Sequence, residues 1–315
     1  MTDSVIKKDF RTSIGGQALI EGIMMRGPKK QAIVVRTKDG FVTKTEDLKL
    51  LKDKYPIVGF VFIRGVVNFV NSLTVGMRAM SFSAECIPEE EQESESKFDQ
   101  WVEKKLGTEK AQKVIIAIAV VLGIAISLGL FFILPTFLAG LLSDVIEHRI
   151  LRNLIEGVMR IIIFISYMWL ATRLNDIRRV WAYHGAEHKA IFCYEKGLPL
   201  TVENVRQQSS LHPRCGTSFM FIVMFVSILV FSFTSWDSIW IRIVLRIALL
   251  PVVVAISYEI IKLAGRYDNI ITKIVSAPGK AMQKLTTREP DDEMIETAIE
   301  ALSLVMPEDA RDAEW

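Results

Sequence analysis

Two of the chain's four histidines stand on one helical turn in Trp181-Ala-Tyr-His184-Gly-Ala-Glu187-His188, with a carboxylate between them. Residues four apart on a helix share a face, so His184 and His188 can grip one divalent cation. A third histidine and a cysteine follow in Ser210-Leu-His212-Pro-Arg-Cys215-Gly, which leaves only His148 outside the group. Imidazole is the commonest protein metal ligand and thiolate a good partner for zinc, so this segment predicts a site for Zn2+ or another divalent metal. A plainer role is open to the same residues. His184 and His188 lie on the apolar stripe that carries Ile177, Trp181 and Ile191, where a histidine is often a core residue bonded to a backbone carbonyl.

The order H-x-x-E-H is that of the inverted zinc-protease motif, in which two histidines hold zinc and the glutamate is general base toward a bound water. On that reading His184 and His188 are ligands and the third comes from His212, Cys215 or Glu259. Glu187 is the catalytic residue, and metal-assisted hydrolysis of a peptide, lipid or isoprenoid-phosphate substrate takes place near a bilayer surface. Glu259 qualifies by an analogy of spacing, since those proteases also take a glutamate from well downstream. A second reading uses His184, His188, His212 and Cys215 as a closed tetrahedral site, with Glu187 supporting an imidazole or pairing with Arg214. A third needs no metal: the chain is an accessory or assembly protein, and Glu156, Arg160 and Arg246 face one another, a cavity or a membrane-protein partner.

The elements that must position these residues are those of a membrane protein. Half of the 315 residues are hydrophobic and the mean hydropathy is positive. The N-terminus, with Asp3, Lys7, Lys8, Asp9 and Arg11, has no apolar signal-peptide core. A net charge of +2 with scattered basic residues excludes nucleic-acid binding, and three cysteines give no disulfide framework. Apolar runs predict about four transmembrane helices, at Val114 to Ala139, Asn153 to Thr172, Gly216 to Phe233 and Ile239 to Leu263. Lysine and arginine concentrate before Val114, between Arg173 and Arg214 and after Lys262. This places both termini and the histidine loop on the cytoplasmic side of the membrane, where the thiols stay reduced.

Ahead of the spans, Gln31 to Arg36 and Phe41 to Thr45 flank Lys38-Asp39-Gly40, which predicts a small two-stranded hairpin. Ile57 to Glu85 is helical in pattern. Its polar stripe of Arg64, Asn68, Asn71, Arg78 and Ser81 suits a helix lying at the interface or packed on the bundle. Pro88 onward is an acidic linker, and Met294 to Val305 a short docking helix. The fold class is therefore mainly α and polytopic. Residues 1–86 form a cytoplasmic glycine-rich motif, hairpin and interfacial helix, 87–113 a linker, 114–263 the bundle with its His/Cys loop at 173–215, and 264–315 a cytoplasmic tail. In the glycine-rich opening, Glu21 and Arg26 either reach the metal loop or serve packing, and Gly15, Gly16 and Gly22 permit close backbone approach.

With GGQALIEGIMMRGP, AYHGAEHKAIFCYE and LHPRCGTSF all in view, the chain resembles the YqhQ-like bacterial membrane proteins over most of its length. That family is catalogued as a domain of unknown function and usually described as a predicted metal-dependent enzyme. The resemblance implies a polytopic inner-membrane protein and supplies no substrate.

Overall fold

The computed structural model describes residues 10–48, 55–87, 101–102, 104–105, 107–142, 146, 148–213, 215–233, 238–267 and 269–314. The acidic stretch from Pro88, Arg214 and the Ser235-Trp236-Asp237 segment lie outside the described residues. The principal elements are β1 (Gly15–Leu19), β2 (Gly22–Arg26), β3 (Lys30–Thr37), β4 (Gly40–Asp47), α1 (Ile63–Glu85) and α2 (Thr108–Leu128). A π-helical turn (Gly129–Ile133) joins α2 to α3 (Leu134–Leu141), and α4 (Arg149–Ala171), α5 (Asn175–Glu195) and α6 (Val202–Arg206) follow. The chain continues through α7 (Gly216–Phe231), α8 (Ile239–Arg266), α9 (Ile270–Thr286) and α10 (Asp292–Ser303). It forms two compact units, one of Met1–Cys86, Tyr167–Val226 and Leu250–Trp315, the other of Ile87–Ser166 and Ser227–Leu249.

In the first unit the expected hairpin is β3 and β4, turning at Gly40 with φ of 118°, a conformation that favours glycine. It is half of the sheet. The glycine-rich opening supplies β1 and β2, giving an antiparallel meander in the order β1-β2-β3-β4 and correcting the two-stranded expectation. Glycine weakens strand propensity, yet here it permits close approach: a Cβ on Gly22 would lie 3.0 Å from the Cα of Val35. Both faces of β2 and β3 are buried. Ile23, Met25, Ala32 and Val34 pack with α5 and α10, while Met24, Ile33 and Val35 pack toward Ala79 of α1. This explains the continuous apolar runs in place of alternation.

The first part of the polar stripe of α1, Arg64 and Asn68, turns inward in the same unit, while Arg78 stays exposed. Arg64 clamps Glu259 of α8 with both ends of its guanidinium, and Asn68 donates to the Tyr258 hydroxyl at 2.8 Å. Val70, Leu73 and Met77 are left outside as an exposed apolar stripe. That is the reverse of a water-soluble surface helix.

Among the described residues, three helical segments are long and apolar enough to cross a membrane: Val114–Leu141, Ile150–Ala171 and Trp240–Arg266. The fourth expected span is α7, whose 16 residues reach only about 24 Å at 1.5 Å each, against a hydrocarbon core of about 30 Å. In the second unit, Pro135 has no N–H to offer the carbonyl four residues back, and that carbonyl, on Phe131, accepts from Arg160 Nε at 2.9 Å. Arg160 also meets Glu156 at 3.0 Å and the Ser227 hydroxyl at 2.9 Å. Arg246 of α8 closes on the same Glu156 oxygen, which Thr136 Oγ1 approaches at 2.9 Å. Glu156, Arg160 and Arg246 are all at most 3% exposed, so they meet one another inside the unit and do not snorkel.

Candidate metal centre

The motif lies on α5, whose residues from Trp181 to Ile191 are buried except for the half-buried His184. Small residues set the helix close to its neighbours. Gly185 faces the Arg288 carbonyl so closely that a Cβ would collide with it, and Ala182, Ala186 and Ala190 pack in the core with the sheet and α10. This tight seat presents His184 and His188 toward the segment that carries Ser210 to Cys215.

His184, His188 and Cys215 place one donor atom each within 4.8 Å of one another. His184 Nδ1 lies 2.8 Å from the Thr286 carbonyl oxygen and His188 Nδ1 lies 2.5 Å from that of Ser210. A carbonyl only accepts, so each Nδ1 carries a proton and donates, and Nε2 is the nitrogen with which the neutral ring can bind a metal. A metal-ligating histidine is ordinarily held in this way, one nitrogen fixed by an oxygen and the other aimed at the ion. His184 Nε2 is 3.1 Å from Cys215 Sγ, and the sulfur also receives the Thr217 N–H at 3.5 Å and the Thr217 hydroxyl at 3.3 Å. Donors about 2.0–2.3 Å from a tetrahedral zinc stand roughly 3.3–3.7 Å apart, a spacing this group reaches by small side-chain movements.

Two other expected donors stand elsewhere. His212 turns its Nε2 toward Glu195 at 3.7 Å, with its ring 4.6 Å from that of Phe192 and 5.6 Å from that of His188. Glu259 is taken by Arg64 and is not among the grouped donors. Its spacing in the chain suggested a ligand, but a guanidinium on α1 supplies a better partner. Cys193 is buried in the apolar core, its sulfur near the Leu198 and Pro199 carbonyls.

Glu187 is buried and accepts the Gly16 N–H at 3.0 Å, so the glycine-rich strand β1 sits directly on the motif's carboxylate. A Cβ on Gly16 would come within 3.1 Å of Glu187 Cδ. Burial pushes the Glu187 carboxyl above its ordinary value, opposed by the charge of His184 and by the Gly16 hydrogen bond. Glu21, on the β1–β2 turn, holds Arg179 at 2.5 and 2.6 Å and accepts from the Tyr183 hydroxyl at 3.2 Å. It therefore reaches the motif helix without joining the donors. The Glu187→Gln chain should unfold within about 1 kcal/mol of the parent, because an amide oxygen still accepts from Gly16, whereas Glu187→Ala should lose about 1–3 kcal/mol. Thermal unfolding of the two variants in one detergent checks this.

Sequence reasoning missed the supports on α9. Gln283, fully buried, accepts the His212 N–H at 2.8 Å and donates to the His212 carbonyl at 2.7 Å, fixing the loop that delivers Cys215. Thr286 supplies the carbonyl for His184. The available signal was Asn269 with Thr272, a reciprocal cap that starts this helix. Lys189 was also missed; it is buried, with its ammonium on the Arg206 and Gln208 carbonyls and on Glu289.

Comparison with known proteins agrees with the resemblance seen in the motifs. The chain is 35% identical over 294 residues to an uncharacterized protein, YqhQ, of Bacillus subtilis, covering 92% of this chain and 91% of that one. No solved structure matches. The family model of proteins of unknown function DUF1385 matches residues 60–308, and the chain belongs to that family.

Proposed function

We propose that this chain is a multi-pass protein of the bacterial cytoplasmic membrane that holds a divalent cation, zinc by its donor chemistry, between His184, His188 and Cys215. The observation that carries the reading is the convergence of these donors with both Nδ1 atoms committed to carbonyl oxygens. Three protein donors leave a fourth position for an exchangeable ligand, the composition of a catalytic zinc site. A cation there supplies Lewis-acid polarisation, and the reading extends to a hydrolase working at the membrane surface, with Glu187 beside the donors as its acid–base group. The buried position of that carboxyl, one residue from a donor histidine, suits such a role. One observation favours a closed structural site instead: the His212 ring lies 5.6 Å from His188, and turning from Glu195 would bring a fourth donor.

The exposed apolar stripe of α1 supports its contact with lipid, and the uniformly apolar α7 supports a fourth crossing. Four crossings would put both termini on one side of the membrane, and the lysine- and arginine-rich segments favour the cytoplasmic side.

Cobalt substitution tests the site. The loaded full-length chain should show sulfur-to-cobalt charge transfer that Cys215→Ser removes, and added azide should shift the visible bands if a position is open. Loss of charge transfer with no azide response to begin with marks the closed site. A chain that takes up no cobalt overturns both readings.

A further inference from the structure

A surface cleft of about 400 Å³ opens in the first unit beside the motif helix, lined from α5 by Asn175, Arg178 and Arg179 and from the segment ahead of α10 by Arg288 and Glu289. Its charge is unbalanced once internal pairs are removed. Arg179 is bound to Glu21, and Glu289 lies 2.6 Å from the buried Lys189 ammonium. Asp291, whose charge also reaches Arg179, spends a side-chain oxygen capping the Met294 N–H. Arg178 and Arg288 remain, with no side-chain hydrogen bond or ion pair among the described residues. Ala182 and Met294 give the cleft an apolar floor.

From these observations we infer that the cleft binds a phosphate-bearing group. Two planar guanidiniums and the Asn175 amide offer forked donors suited to phosphate oxygens, and the volume admits a phosphate with a small alcohol attached. In the sequence the cleft's first lining residue stands just past an apolar helix. Asn175 follows shortly after Ala171, where an apolar helix ends, and Arg173 stacks 4.4 Å from the Trp169 ring. Tryptophan and arginine together at a helix end mark a membrane–water interface. The phosphate belongs either to a lipid headgroup or to a soluble phosphoester. The inference stands apart from the metal reading, because neither arginine is among the metal donors.

Titration calorimetry on the full chain in a neutral detergent tests it, with inorganic phosphate, dihexanoyl-phosphatidic acid and zwitterionic dihexanoyl-phosphatidylcholine as probes. Each titration is repeated after exhaustive dialysis against EDTA, which separates anion held by arginine from anion held by a metal. Binding of a phosphate probe should survive EDTA and weaken about tenfold or more in each of Arg178→Gln and Arg288→Gln, the loss expected for one charge-assisted hydrogen bond. Arg311→Gln, an equal charge loss at a residue paired with Asp309, should leave it unchanged. Preference for the phosphatidic acid identifies a lipid headgroup, and preference for phosphate a soluble ligand; either supports the site. Heat from neither probe, binding lost with EDTA, or affinity unchanged from the parent in both arginine variants overturns it.

Discussion

Chains carrying His188→Ala or Cys215→Ala, purified from membranes, should retain less than about one tenth of the parent's zinc under mild chelation. Removing even an outer support of a metal ligand costs about tenfold to hundredfold in affinity, and removing a ligand costs more. The two side chains reach the site by different routes, one from α5 and one from the start of α7, so parallel losses would tie both elements to one ion. Glu259→Ala should keep its metal, because that carboxylate is already bound to Arg64. His212→Ala divides the two forms of the site: zinc is kept if three donors suffice and lost if the imidazole completes a closed tetrahedron. Elemental analysis of the five proteins gives the answer directly. A parent chain without stoichiometric metal, or zinc kept by both the His188 and the Cys215 variants, would sink the reading.

The second large effect belongs to Glu156. Its buried carboxylate accepts from Thr136, Arg160 and Arg246, and in Glu156→Ala two guanidiniums would face each other in an apolar interior. Breaking a buried charge network on one side costs about 3–5 kcal/mol. The triple variant Glu156→Leu, Arg160→Met, Arg246→Met removes all the charges together and should be the more stable of the two, since apolar side chains of similar volume replace a network whose desolvation is costly. Unfolding of the purified chain in mixed micelles measures both. Equal stability of parent and Glu156→Ala would show that the carboxylate compensates nothing.

Legibility in the sequence followed the distance over which each interaction acts. His184 and His188 are one helical turn apart, so their shared face could be read from spacing alone, and Cys215 followed from residue type within the same segment. Glu259 was misplaced as a donor because its real partner, Arg64, is 195 residues away along the chain, and spacing carries no record of such a pairing. The strands β1 and β2 were hidden for another reason. Their glycines lower strand propensity, and only the tertiary fit of Gly16 and Gly22 against neighbouring backbone explains their presence. The pair Glu156 and Arg160 was legible as a local ion pair, whereas the arrival of Arg246 from another helix was not. Gln283 left no trace, since a buried amide that bonds backbone looks like any polar residue of an amphipathic helix.

The double burial of β2 and β3 constrains the chemistry of the neighbouring helix. A slip of one residue in strand pairing would exchange the side chains facing α1 with those facing α5 and α10, spoiling two interiors at once. It would also carry the Gly16 amide away from Glu187. Hydrophobic sorting within a small meander thereby fixes where a single peptide dipole points, and keeps in place one contact that moderates the rise burial causes in the proton affinity of the carboxyl set between two histidines.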